Sequence, residues 1–326
     1  MKSSSFYRIF LIIGIITVII VIFNIGITSI YENILKTGWW FFAIIGIWAV
    51  VYLINTFSWH LIVRDNEKNF KRVTFWQLYK ITVSGFAINY ITPVAALGGE
   101  PYRIMELKKY VGVHKATSSV ILFSMMHIAS HFLFWLVSTI LLYLVFDPSP
   151  GVFWLMLITA LFCLVALYYF FKGYRYGLVA KTFRFFGKLP WVGKKIRNFN
   201  EKHHEDFIKI DQQIAQLHSG RKTAFYGALM SEFTARVVGC LEIYFIAFAI
   251  GQQITFLESV ILVAVSSLFA NIMFFSPLQL GTREGGFWLA TKGIAIDTEL
   301  GLYISLITRI RETCWIIVGL LLMKKR

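Results

Sequence analysis

The sequence predicts an all-α polytopic membrane protein with about six full spans plus two opposed re-entrant helical hairpins, arranged as an inverted repeat. Three observations carry this expectation. The chain of 326 residues is 57% hydrophobic and only 15% charged, which leaves too few polar side chains to cover a water-soluble body of this size. Two apolar segments break at matching motifs, NYITPVAALGGEPYRIME over Asn89–Glu106 and NIMFFSPLQLGTREGGFW over Asn271–Trp288. Basic residues gather between the apolar runs and at the chain ends, where cytoplasmic loops and termini belong.

In chain order, an apolar run from about Ile9 to Ile30 follows Lys2 and Arg8. It is too long for a signal-peptide core and is expected to be an uncleaved span. A polar turn over Tyr31–Gly38 leads to a second span, about Trp39–Val63, whose Trp39 and Trp40 suit a membrane interface. Arg64, Lys68, Lys71 and Arg72 mark the return to the cytoplasm. The first hairpin covers about 73–110: its entering helix meets Pro93 and the Gly98–Gly99 pair, and a short helix restarts near Pro101, where a missing N–H costs nothing. A third span, about Ser118–Phe146, closes the first half at about residue 150.

The second half, 151–326, opens with a span over about Val152–Phe171. From Lys172 to Lys222, twelve basic residues against four acidic ones give a net charge of +8, so this segment is expected in the cytoplasm. Its first part mixes basic and aromatic residues as an interfacial helix does. His203, His204, Glu205 and Asp206 within it read as a solvated helix face. A span over about Thr223–Ile250, a second hairpin over about 257–292 and a last span over about Gly301–Met323 complete the plan. Lys324, Lys325 and Arg326 place the C-terminus inside. Each half thus reads as span, span, hairpin, span. An odd number of crossings inverts the second half, and the whole is one membrane domain with both termini cytoplasmic.

Broken backbone is tolerated at membrane depth only where it is buried in protein or lines a wet cavity. In each motif a proline and a glutamate stand seven apart, Pro93 to Glu100 and Pro277 to Glu284. The prolines, with Gly98, Gly99 and Gly281, are expected to shape the breaks. Each restarting helix presents free N–H groups and its positive dipole end, which favour an anion such as a lipid phosphate. Arg103 and Arg283 add donors suited to phosphate, or serve as salt-bridge partners that hold a hairpin closed. Glu100 and Glu284 could bind a headgroup ammonium, carry a coupling proton, pair with an arginine, or satisfy N–H groups at their own helix starts. In the last span Arg309, Arg311 and Glu312 lie at membrane depth, and at least one is expected to face a cavity.

A secondary polar cluster comprises His127 and His131, four apart, with Glu232 and Arg236, which are also four apart and placed to pair with each other. No metal is expected at the histidines, since neither a carboxylate nor a cysteine lies near them in sequence. Cys163, Cys240 and Cys314 sit in separate apolar segments and read as small buried hydrophobes. No nucleotide-binding, zinc-protease or serine-hydrolase motif is present, and no cofactor is expected. The net charge of +15 is assigned to loops beside spans and not to nucleic-acid binding.

At Pro93, Gly98, Gly99, Glu100 and Arg103, and again at Pro277, Gly281 and Glu284 with Arg309, the sequence resembles the transmembrane region of the lysylphosphatidylglycerol synthase family. The resemblance covers nearly the whole chain. In bifunctional members of that family this region is the flippase half, and a separate cytoplasmic domain makes the aminoacylated lipid. The resemblance therefore implies lipid movement and not lipid synthesis, since no synthase domain precedes Arg326.

The expected function is translocation of an anionic or aminoacylated phospholipid, or of a polyprenyl phosphate, through a polar cavity in a bacterial plasma membrane. The protein is not expected to be an enzyme. Glu100, Arg103, Arg283, Glu284 and Arg309 are the expected substrate-binding residues, and homo-oligomerisation is left open. An integral-membrane lipid-modifying enzyme and a non-transporting membrane scaffold are the alternatives.

Overall fold

The computed structural model describes residues 26–64, 73–92, 98–146, 150–176, 220–272, 281–294 and 296–323, with isolated positions at 16, 19 and within 205–215. Most of the expected first span, most of the basic segment after Lys172, Pro93 and Pro277 lie outside the described residues. The described chain is helical throughout: α1 (Ile27–Thr37), α2 (Trp40–Val63), α3 (Phe75–Ile91), α4 (Gly99–Val111), α5 (Val113–Val145), α6 (Pro150–Tyr176), α7 (Lys222–Ala249), α8 (Phe256–Ile272), α9 (Thr282–Gly293) and α10 (Thr298–Met323).

One element differs from the sequence expectation. Tyr31–Thr37 is helical, not a turn. Ile27, Ile30 and Ile34 recur at helical spacing, and Ile34 packs into the core beside Leu300 and Ile304. The polar residues of the stretch also find partners: Thr37 is buried, donating to Asn33 O at 2.7 Å and sharing a 2.8 Å hydrogen bond with Tyr303 Oη. The turn comes one residue later at Gly38, whose N–H closes on the carbonyls of Ile34 and Leu35.

Among the described residues, α2, α5 and Pro150–Lys172 of α6 are long and apolar enough to cross a membrane. Helices α7 and α10, at 28 and 26 residues, also exceed the roughly 20 residues that crossing requires, but each carries three charged residues near its middle. The outer surface is apolar. On α6, Trp154, Leu155, Ile158, Leu161 and Phe162 are all exposed, a face that water would not favour.

The two helix pairs that flank the breaks are built alike. Helix α3 starts with a capping box in which Thr74 accepts from Gln77 N–H and Gln77 accepts from Thr74 N–H; α8 starts with the same device, Thr255 with Glu258. Helix α4 folds back on α3 through Gly99, where a Cβ would lie 2.2 Å from Gly85 O. Helix α9 folds back on α8 through Gly286, where a Cβ would meet Ser266 Cα at 3.0 Å. The remaining packing also corresponds: α4 lies on α5 and α9 on α10, α2 on α3 and α7 on α8, with α2 and α7 packed against each other. Helix α3 also packs closely on α10, where Ser84 donates to Gly319 O at 2.9 Å and a Cβ on Gly319 would lie 2.4 Å from the Ala87 Cβ. Small residues of this kind let helix backbones approach closely.

Two of the apolar clusters among the described residues surround the helix pairs. Trp59, Leu107, Phe123 and Phe225 centre one around the first helix pair, and Phe41, Ile246, Phe287 and Ile304 centre the other around the second. Between these clusters, Tyr52 and Asn55 of α2 and Arg236 and Gly239 of α7 line a cavity.

Candidate functional site

That cavity has a volume of about 750 Å³, within the roughly 300–1,000 Å³ typical of small-molecule sites. The four long helices that face it contribute from their middles: Trp48 to Asn55 of α2, Phe123 to Phe134 of α5, Ala235 to Ile243 of α7 and Thr308 to Ile316 of α10. The helix pairs close it with Asn89, Glu100 and Arg103 on one side, and Ser266, Asn271 and Arg283 on the other.

The first pair organises its charge locally. Asn89 accepts from Gly99 N–H at 2.6 Å and donates to Glu100 at 3.3 Å, so one side chain ties both helices across the break. Glu100 also accepts from Arg103 at 3.2 Å and Ser124 at 3.4 Å; its partners are side chains, not the N–H groups of its own helix start. Arg103 is 2% exposed. Its guanidinium lies 4.6 Å from the Phe86 ring centre and 5.3 Å from that of Phe123, a cation–π arrangement that offsets part of its desolvation. Gly98 adopts ordinary helical φ and ψ, so the close approach at Gly99 is what needs glycine here.

In the second pair the bonds leave the hairpin. Arg283 pairs with Glu312 and Glu284 with Arg309, the latter at 2.6 Å, tying α9 to α10 twice. Gly281 precedes α9 with φ of 78°, a left-handed conformation that glycine adopts without penalty. Glu284 is not among the cavity-lining residues, but its partner Arg309 is.

Arg311 and Glu242 form a bidentate pair at 2.7 and 2.9 Å, both side chains 4% exposed or less. Trp48 donates to the same carboxylate at 2.7 Å and lies 3.8 Å beneath the Arg311 guanidinium. Of this group, Trp48 carried no signal in the sequence.

The secondary cluster is assembled, with one correction. Glu232 and Arg236 do not pair with each other. Glu232 is fully buried and takes its bonds from His127 Nδ1 at 2.8 Å and Asn55 Nδ2 at 3.0 Å. Arg236 donates instead to Ser130 Oγ and His127 O, both at 2.7 Å. Four-residue spacing on α7 leaves both side chains on one face, and α2 and α5 supply closer partners than they are to each other. Asn55 of α2, followed closely by Thr56 and Ser58, was not singled out in the sequence. His131 lies between His127 and Trp135, edge-on to the first and tilted against the second, with ring centres 5.5 and 5.2 Å away.

The family model described as the lysylphosphatidylglycerol synthase TM region matches residues 9–320. No curated protein and no solved structure matches the chain.

Proposed function

Because the chain belongs to the lysylphosphatidylglycerol synthase TM region family of membrane proteins, we propose that it translocates a phosphate-bearing lipid between membrane leaflets. In this reading α2, α5, α6, α7 and α10 span the bilayer. The α3–α4 and α8–α9 pairs are opposed re-entrant hairpins of an inverted repeat, in a bacterial plasma membrane with both termini cytoplasmic. The observation that carries it is the placement of the cavity at the middle of four long helices, since binding at mid-depth between repeats is the arrangement of secondary transporters. Charge is kept inside and apolar surface outside, so acyl chains can remain in lipid while a headgroup crosses through the polar interior.

The test is leaflet exchange of fluorescent anionic and aminoacylated phospholipids in liposomes. Exchange accelerated by the wild type and lost in folded Glu100→Ala and Arg283→Ala variants is the expected result. Failure to move any phosphate-bearing lipid, polyprenyl phosphate included, overturns it. The paired state of Glu100, Glu242, Glu284 and Glu312 favours a second reading, a membrane scaffold whose charges serve only to lock helices together; that reading expects no exchange from a fully folded protein.

A further inference from the structure

Five arginines line the cavity: Arg103, Arg236, Arg283, Arg309 and Arg311. Four have a carboxylate oxygen within 3.2 Å, from Glu100, Glu312, Glu284 and Glu242 respectively in the order Arg103, Arg283, Arg309 and Arg311. Arg236 has none within 4.0 Å among the described residues. Its guanidinium is nevertheless fixed in place. Nε donates to Ser130 Oγ and Nη2 to His127 O, both at 2.7 Å, and Ser130 Oγ itself donates to His127 O at 2.8 Å. Two neutral acceptors on one turn of α5 thus hold the fork without cancelling its charge, and Nη1 meets no acceptor among the described residues. The nearest carboxylate along α7, Glu232, stands beyond ion-pair distance, with Oε2 engaged by Asn55 and His127 and Oε1 buried without a hydrogen-bond partner among the described residues.

A guanidinium in a low-dielectric interior is costly without a counter-charge. A fixed fork with one free nitrogen facing a cavity suits the oxygens of a phosphate. We infer that Arg236 is the seat of a phosphate group in this cavity, and that the four paired arginines do not bind the ligand: Arg283, Arg309 and Arg311 tie helices together, and Arg103 is held within α4. This assignment deepens the translocase reading and rests on it for the ligand's lipid nature.

The experiment measures binding separately from transport. Full-length protein in detergent is titrated with dioctanoyl phosphatidylglycerol, with glycerol 3-phosphate and with dioctanoylglycerol, by calorimetry. Wild type is expected to bind the phosphatidylglycerol and not the dioctanoylglycerol. If glycerol 3-phosphate binds as tightly, the ligand is a free phosphate and the lipid part of the assignment is overturned. Arg236→Gln is expected to weaken phosphatidylglycerol binding about ten- to hundredfold, the effect of losing a charge-assisted hydrogen-bond donor; Arg236→Lys is expected to lose less.

Should both variants misfold, the wild type still gives an answer. Phenylglyoxal modification of Arg236, read by peptide mass spectrometry, is expected to be blocked by phosphatidylglycerol and not by dioctanoylglycerol. Equal affinity in a folded Arg236→Gln variant, or modification of Arg236 that the lipid does not slow, overturns the seat. Loss of binding in Arg236→Gln beside a wild type that exchanges no lipid supports the seat and overturns the translocase instead.

Discussion

Replacing Glu242 by Gln leaves Arg311 buried with its bidentate partner removed. Both side chains are 4% exposed or less, and Arg311 donates two hydrogen bonds to the Glu242 carboxylate. Removing one member of such a buried pair costs about 3–5 kcal/mol, because the remaining charge is stranded. Glu312 stands 3.8 Å from Arg311 Nη1 and offers partial compensation, and the Trp48 ring stays beneath the guanidinium, so the lower end, about 3 kcal/mol, is expected. With an unfolding entropy of roughly 2.1 cal/mol/K per residue, that corresponds to a Tm drop of about 4 °C for a chain of this length. Thermal unfolding of detergent-purified protein, with gel filtration as a check on assembly, measures it. The double variant Glu242→Gln with Arg311→Met removes the stranded charge and is expected to recover more than half of the loss. A Tm unchanged within 1 °C in the single variant, or a double variant no better than the single, would refute the argument that this pair is a buried lock.

Gly99→Ala places a Cβ 2.2 Å from Gly85 O and 2.6 Å from Asn89 Oδ1, so it is expected to wedge α4 from α3 and destabilise by about 1–3 kcal/mol. Gly46→Ala, with nothing within 4 Å of its Cβ, is expected to be neutral or to stabilise by up to about 1 kcal/mol through helix propensity; thermal unfolding compares the two. In a cysteine-free background in liposomes, Thr313→Cys, which lines the cavity, is expected to react with a charged thiol reagent. Phe162→Cys, exposed on the outer face of α6, is expected to stay unreactive under lipid; equal labelling of both positions would argue against a wet interior inside an apolar exterior.

Much of this was legible in the sequence, because the signals are strong ones. Long apolar runs set α2, α5 and α6, and the Pro–Gly interruptions set the two breaks to within a few residues of where α4 and α9 begin. Seven of the charged residues singled out in the sequence, Glu100, Arg103, Arg236, Arg283, Arg309, Arg311 and Glu312, came together in one cavity. Charge at membrane depth has few places to go except the interior. The helical stretch Tyr31–Thr37 was missed because Thr37 is satisfied by Asn33 O within the helix and by the distant Tyr303, a tertiary contact that local polarity does not reveal. Trp48 was missed for a related reason: its N–H is spent on Glu242, which lies 194 residues away.

The sequence placed the two motif glutamates in equivalent positions but did not identify their partners, and the difference follows from one register. Three residues after Glu100 stands Arg103, on the same face of α4, so the first hairpin neutralises its carboxylate internally. Three residues after Glu284 stands Phe287, which belongs to the apolar core, and the motif arginine has moved to Arg283, one position before the glutamate. Adjacent residues on a helix point about 100° apart, so Arg283 and Glu284 cannot share one partner as Glu100 and Arg103 share each other. Each therefore reaches to α10, for Glu312 and Arg309. The consequence is mechanical: the first hairpin is held to α10 by close backbone packing at Gly319, and the second by close packing at Gly301 together with two ion pairs. Separating α9 from α10 then exposes four charges, whereas separating α3 from α10 exposes none of the paired ones.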